Sequence, residues 1–292
     1  MTDDRRLALL LNPTAAGGRA LRLLPAVRER LQARGLDHHV VQTRDIEHAA
    51  EAAHAAVEAG EVVVAMGGDG LVGTIAGAIR KDGTLAVLPA GRGNDFAREL
   101  GIPQDVSAAC DLLAAGRVRE LDLGEVNGRP FACIASAGFD SDANRIANEA
   151  RLIRGNLVYL YAALRALAAW RPARFTVTLD GDERAFTGYT IVVANSRYYG
   201  GGMCVAPDAK LTDGMLEVVF IGNTSKPRFL ANLPKVFSGK HVDVDSVETY
   251  RAREVRVSSD RPFDVYADGD HLTQLPATVR VIPGAMRVIV PN

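Results

Sequence analysis

Two stretches combine glycine with carboxylate where a run of apolar residues gives way to a helical pattern: Gly67-Gly68-Asp69-Gly70 and Gly91-Arg92-Gly93-Asn94-Asp95. At the start of a helix the first backbone N–H groups have no partner within it, and glycine lets an anion come close to them. Such a turn suits a phosphate, although taken alone it serves equally well as a tight connection. Asp69 tips the balance toward a ligand. A carboxylate beside a phosphate is repelled unless a divalent cation or a substrate hydroxyl stands between them, which is the arrangement that phosphoryl transfer requires. In the second turn Asn94 and Asp95 are good helix N-caps, and Asp95 read by itself needs no further role. A third turn, from Asn12 to Gly18, follows the first apolar run. Adjacent parallel strands bring their carboxyl-end loops together, so the three turns predict one shared site. The chain has no GxxxxGK[ST] and no GxGxxG after its first strand, which leaves a P-loop NTPase and a dinucleotide-binding domain unsupported.

The elements that must position these turns follow from periodicity. Leu7–Leu11, Leu36–Val41, Glu61–Met66 and Thr84–Leu88 read as strands; Arg19–Arg34, Ile46–Ala59 and Leu71–Arg80 carry apolar residues at helical spacing. The alternation predicts an α/β domain with a parallel sheet over residues 1–125. Beyond about residue 120 strands dominate: Arg119–Val126, Phe131–Ser136, Phe175–Leu179, Tyr189–Asn195, Met215–Ile221, Val255–Val257, Phe263–Ala267 and Val279–Val290. These predict a β-rich, sandwich-like domain over 126–292. Its extreme C-terminus is allowed to pack back on the first domain. Two helical inserts, Asp140–Trp170 and Lys226–Ser238, interrupt it. Within the first, Leu157–Trp170 is apolar nearly all round, and such a helix must be covered by core, by a second copy in a homodimer, or by lipid.

The chain of 292 residues has a formal net charge of -1, which argues against nucleic acid as a partner. Cys110, Cys133 and Cys204 are widely separated and lack ligand spacing, so they read as small core residues of a protein kept in a reducing cytoplasm. The apolar run near the N-terminus is too short for a signal sequence or a membrane span. Among the histidines, His38 and His39 face opposite sides of a strand and His48 and His54 diverge on a helix, so a metal cluster is rejected. Only His271 is kept, as a possible neighbour of the site.

Taken in order, the Asn12-Pro13 turn ending in Gly17-Gly18, Thr43 with His48 before an alanine-rich helix, GGDG, and LPAGRGNDFAREL (residues 88–100) resemble the diacylglycerol kinase catalytic-domain family, which includes sphingosine kinases and bacterial lipid kinases. The resemblance continues through Asn195, Gly200-Gly201-Gly202, Ala206-Pro207, Leu211 to Leu216 and Asp268-Gly269-Asp270, and so spans nearly the whole chain. It implies an ATP-dependent kinase of a lipid hydroxyl, most often diacylglycerol giving phosphatidic acid, cytoplasmic and peripherally bound to the membrane surface where its lipid lies. Sphingoid bases, ceramide or phosphatidylglycerol are other acceptors it allows.

By position, the resemblance implies that Asn12, Thr43, Gly67, Gly68, Gly70, Gly91, Arg92, Gly93 and Asn94 hold the nucleotide. Asp69, Asp95 and Asp122 would form an acidic network around catalytic Mg2+, and Asp270 would be the general base. Two departures stand out: Arg92 replaces a usual threonine, and Asp270 a usual glutamate. The resemblance also places a structural Mg2+ or Ca2+ at Asp213 with the carbonyls of Lys210 and Met215, whereas Asp213-Gly214 on its own reads as a hairpin turn. Rival readings are a kinase of a soluble hydroxyl like the NAD kinases, which should lack the second-half signature, and a nucleotide-binding regulator that has lost catalysis.

Overall fold

The computed structural model describes residues 6–149 and 165–292. The N-terminal part alternates strands β1 (Leu7–Leu11), β2 (His38–Gln42), β3 (Val62–Gly67) and β4 (Thr84–Pro89) with helices α1 (Arg19–Ala33), α2 (Ile46–Glu58) and α3 (Asp69–Ile79). These strands pair in parallel in the order β2-β1-β3-β4. β1 and β3 are buried along their whole length, as strands covered by helices on both faces must be, and this is why they appear in the sequence as unbroken apolar runs. Two further helices, α4 (Asp95–Glu99) and α5 (Val106–Ala115), precede the long strand β5 (Arg117–Val126). Helix α5 was not anticipated, although its buried residues Val106, Ala109, Cys110 and Leu113 have helical spacing and Asp105 caps it by accepting from Ala108 N at 2.9 Å.

The second part is antiparallel: β6 (Arg129–Phe131), β7 (Ile134–Gly138), β8 (Ala173–Leu179), β9 (Asp182–Ala194), the short hairpin β10 (Tyr198–Tyr199) and β11 (Met203–Cys204), β12 (Leu216–Gly222), β13 (Val247–Ala252), β14 (Glu254–Ser259), β15 (Asp264–Ala267), β16 (Asp270–Gln274) and β17 (Ala277–Val290). Helix α6 (Phe139–Glu149) follows β7, and helix α7 (Lys226–Asn232) leads into two short 3-10 turns ending at Asp243. The apolar helix expected over Leu157–Trp170 lies largely outside the described residues, but Trp170 itself is buried, stacked on Tyr189 with ring centroids 5.9 Å apart. Phe139 and Phe229 complete that aromatic group. No helix of the described residues is long and apolar enough to cross a membrane.

β17 joins the two halves. Its first residues, Ala277–Arg280, pair with β14 of the sandwich, and its last pair in parallel with β4, Arg287 opposite Thr84, while β5 runs antiparallel along most of its length. A register shift between Ile282 and Met286 separates the two stretches. The outcome is a single continuous sheet in which the edge of the parallel part is closed by the C-terminal strand.

Met286, Val288, Ile289 and Val290 are buried in the core of the N-terminal part. Burying each is worth about 1.5–3 kcal/mol, so together they match the whole stability of an ordinary domain. Removing residues 285–292 should therefore abolish cooperative thermal unfolding followed by circular dichroism, whereas removing Asn292 alone should shift the melting temperature by no more than about 2 °C; a sharp transition in the longer deletion would show that the N-terminal part folds without β17.

Candidate active site

The three turns meet. Gly67 O accepts from both Ala90 N (2.9 Å) and Gly91 N (3.0 Å), which ties the β3 turn to the β4 turn. The backbones approach so closely that a Cβ on Gly91 would lie 2.3 Å from Gly68 Cα, a contact no side chain survives. Asn94, held at a positive φ of 51°, accepts from Gly91 N through Oδ1 at 2.8 Å. Arg19 at the start of α1 donates through Nη1 to Gly91 O at 3.0 Å and draws in the first turn, in which Asn12 Oδ1 accepts from Thr14 N at 3.0 Å. Thr43 is buried at the end of β2, its N and Oγ1 both donating to Leu11 O. Arg92 is exposed at the tip of its turn.

Two carboxylates stand in this ring. Asp69 Oδ1 accepts from Phe96 N at 2.9 Å, and Asp95 Oδ2 accepts from Gly201 N at 2.8 Å, so the β10–β11 hairpin of the second half closes over the acid of the first. A Cβ placed on Gly93 would fall 2.9 Å from Asp95 Oδ2 and 3.3 Å from Asp69 Oδ2; the two groups flank one point, and only glycine fits between them. Burial pushes the Asp69 carboxyl up, against its bond from Phe96, and the Asp95 charge adds to the rise. Burial likewise raises Asp95, with the Gly201 bond and Arg98 opposing.

A third and a fourth carboxylate come from the β15–β16 hairpin. Asp268, at φ 52°, accepts from three successive backbone groups: Ala132 N at 2.6 Å, Cys133 N at 2.9 Å and Ile134 N at 3.1 Å. Burial pushes it up to about 7 against those bonds, and the nearby Asp69 charge contributes. Asp270 reaches over the first turn of α3, so close that a Cβ on Gly70 would meet its Oδ2 at 2.1 Å. Although the residue is exposed at the rim, the atoms packed around its carboxyl raise it, while Arg129 counteracts. Asp268 and Asp270, with Gly70, Thr74, His54 and Arg129, line a cavity of about 270 Å³. His271, one residue on, turns instead to Asp264, 3.3 Å away.

Asp122 departs from the acidic network expected for it. Its carboxylate accepts from Gly214 N at 2.7 Å and Gly284 N at 2.8 Å, and its carbonyl accepts from the fully buried Asn195. No described contact links it to Asp69 or Asp95; it clamps two second-half loops onto β5. Asp213 accepts from Met215 N at 3.1 Å and pairs with Arg251, so a cation held there with the carbonyls of Lys210 and Met215 would share its carboxylate with a guanidinium.

The residues present fit a divalent cation and a nucleotide. Asp95 Oδ1 is buried without a hydrogen-bond partner, with Arg98 Nε 3.7 Å away, and both raised carboxyls face one glycine, so a cation between them would restore their ordinary acidity. The glycine turns beside them leave room only for backbone, as a phosphate cradle must. Reading the sequence missed Asp268 as a site residue, and missed Arg19 and the Gly201 hairpin as walls. The partners of Asp268 lie about 135 positions earlier in the chain, and no local signal marks such a contact.

Comparison with known proteins gives two matching families. The diacylglycerol kinase catalytic domain matches residues 6–126, and the YegS C-terminal NAD kinase beta sandwich-like domain matches residues 133–290. A diacylglycerol kinase of Mycobacterium tuberculosis is 36% identical over 296 residues, covering 98% of this chain and 96% of its own. One of Bacillus subtilis is 27% identical, covering 99% and 97%. A crystal structure of a diacylglycerol kinase from Bacillus anthracis superposes with a TM-score of 0.77 at 21% identity, covering 99% of this chain and 98% of that one, a likeness of fold.

The raised pKa of Asp268 sets a pH dependence. The native carboxyl keeps its proton up to about pH 7, whereas an unfolded aspartate releases it near about pH 4. Between those values the folded state binds more protons, so stability falls as pH rises through the window. Glu217, buried and also raised to about 7, adds to the fall. The melting temperature should decline from pH 5 to pH 8 and decline less steeply in Asp268→Asn; equal slopes would show that Asp268 is ionised throughout.

Proposed function

Because the chain belongs to the diacylglycerol kinase catalytic-domain family, we propose that it transfers the γ-phosphoryl group of ATP to a lipid hydroxyl, with diacylglycerol as acceptor and phosphatidic acid as product. The observation that carries this reading is the arrangement of carboxylates: Asp69 and Asp95 flank Gly93 beside the glycine turns, and Asp270 stands separately over Gly70. One pair suits the metal and the phosphates; the other group is free for the acceptor. A kinase of a soluble hydroxyl would share the GGDG turn and, by the description of the matching second-half domain, a similar sandwich, but the relatives' names favour a lipid.

When bound, Mg-ATP supplies the phosphoryl group and part of the charge neutralisation. The backbone N–H groups at the start of α3 and at Arg92–Asn94 would hold the phosphates, and Asp69 and Asp95 would hold Mg2+. Asp270 would take the proton of the acceptor hydroxyl as that oxygen bonds to the γ-phosphorus and the bond from phosphorus to the departing ADP breaks. A carboxyl raised above the ordinary range is a stronger base for that step than a free aspartate. Its shorter reach, compared with glutamate, is met by Gly70, which has no side chain to hold it away. We place the reaction at the cytoplasmic membrane surface, where the acceptor lies.

The experiment is transfer of labelled phosphate from ATP to diacylglycerol, set beside sphingoid bases and other lipids. Asp69→Asn should lower turnover at least about a hundredfold with the melting temperature nearly unchanged. Asp270→Asn should abolish transfer while leaving ATP affinity intact, and Asp270→Glu should keep measurable activity. Full turnover by Asp270→Asn would remove this residue from the mechanism, and no transfer to any lipid by the unaltered chain would sink the reading as a whole.

A further inference from the structure

Residues 226–240 form a surface strip with two distinct sides. Facing inward are Phe229, stacked on Tyr189 with centroids 4.3 Å apart, then Leu233, Val236 and Gly239, which pack on the core. Facing outward are Leu230, 40% exposed, and Phe237, 59% exposed, the most exposed large apolar side chain among the described residues. With them stand Lys226, Arg228, Lys235 and Lys240, all exposed, and no acidic residue occurs from Gly222 to Val242. Lys226 donates to Ala168 O at 2.9 Å and Arg228 lies 3.5 Å from Asp245, which leaves Lys235 and Lys240 as the cations beside Phe237 in sequence.

We propose that this outward face is a docking surface for an anionic lipid bilayer. An exposed phenylalanine and leucine can enter the headgroup layer while lysines meet its negative charge, and stable attachment needs both kinds of contact. A second copy of the chain would bring the same cations against themselves. The inference rests on the lipid-kinase reading, since an acceptor held in a bilayer is what such a face would serve.

The strip is also mechanically close to the site. A Cβ on Gly239 would lie 3.1 Å from Pro207 and 3.5 Å from Cys204 Sγ, and Leu233 and Val236 share a core with Tyr199 and Met203 of the β10–β11 hairpin. That hairpin's loop supplies the Gly201 N–H to Asp95. Bilayer contact at Phe237 is thus one hairpin away from the acids that are assigned to the metal.

Sedimentation of the full chain with vesicles of phosphatidylcholine, with and without phosphatidylglycerol, tests the proposal. Binding should require the anionic lipid and weaken with salt. Lys235→Ala with Lys240→Ala should lower the partition coefficient about 30-fold, and Phe237→Ser about tenfold. Each variant should phosphorylate a short-chain, soluble diacylglycerol at the unaltered rate, which shows that it is folded. Vesicle binding equal to the unaltered chain in these variants, or no binding by the unaltered chain, would overturn the proposal. So would a dimer that Phe237→Ser converts to monomer with vesicle binding intact, because the face would then belong to a second copy. Failure of the unaltered chain to phosphorylate the soluble lipid bears on the kinase reading alone.

Discussion

Three carboxylates, Asp69, Asp95 and Asp268, are held where water cannot fully solvate them, and each is pushed toward its neutral form. Burying a charge is among the most costly things a fold can do, and it persists only where the surroundings fix it from several sides. Here the surroundings are backbone N–H groups: Phe96 for Asp69, Gly201 for Asp95, Ala132 to Ile134 for Asp268. One of the three sets, that of Gly201, comes from the half of the chain that does not carry the acid in question, and Asp270 of the second half lies over Gly70 of the first. The site therefore exists only when both halves are assembled, and the glycines at 68, 70, 91 and 93 are what permit the approach.

This arrangement separates two tasks. The pair around Gly93 belongs to rigid turns fixed by the parallel sheet. Asp270 belongs to the β15–β16 hairpin, which among the described residues pairs only with β7 and is tied down by Asp268 at its tip. A group anchored through its neighbour can shift slightly without disturbing the glycine turns, and under the proposed mechanism a base reaching acceptors of varied shape would gain from that freedom.

Much of the first half was legible because its strands are covered on both faces and its turns are rich in glycine. Asp69 and Asp95 could be picked out for the same reason: each stands in a turn whose residue types are unusual. What could not be read was set by pairing at a distance. β13 and β16 are half-exposed strands with weak alternation, and their place is dictated by β12 and β15. Asp122 sits in a motif position that suggested an acidic network, yet Gly214 and Gly284, 92 and 162 residues later, claim its oxygens. Asp268 looked like part of a turn, and although its three partners lie in the strand expected over Phe131–Ser136, nothing local in either segment tells that the two meet.

Until residues 284–290 have left the ribosome, β4 presents an open edge of unpaired backbone groups beside a hydrophobic interior. An unfinished parallel sheet of that kind is a template for pairing with other chains. During synthesis, therefore, most of the N-terminal half emerges before the strand that closes its sheet, and that edge stays open through the interval.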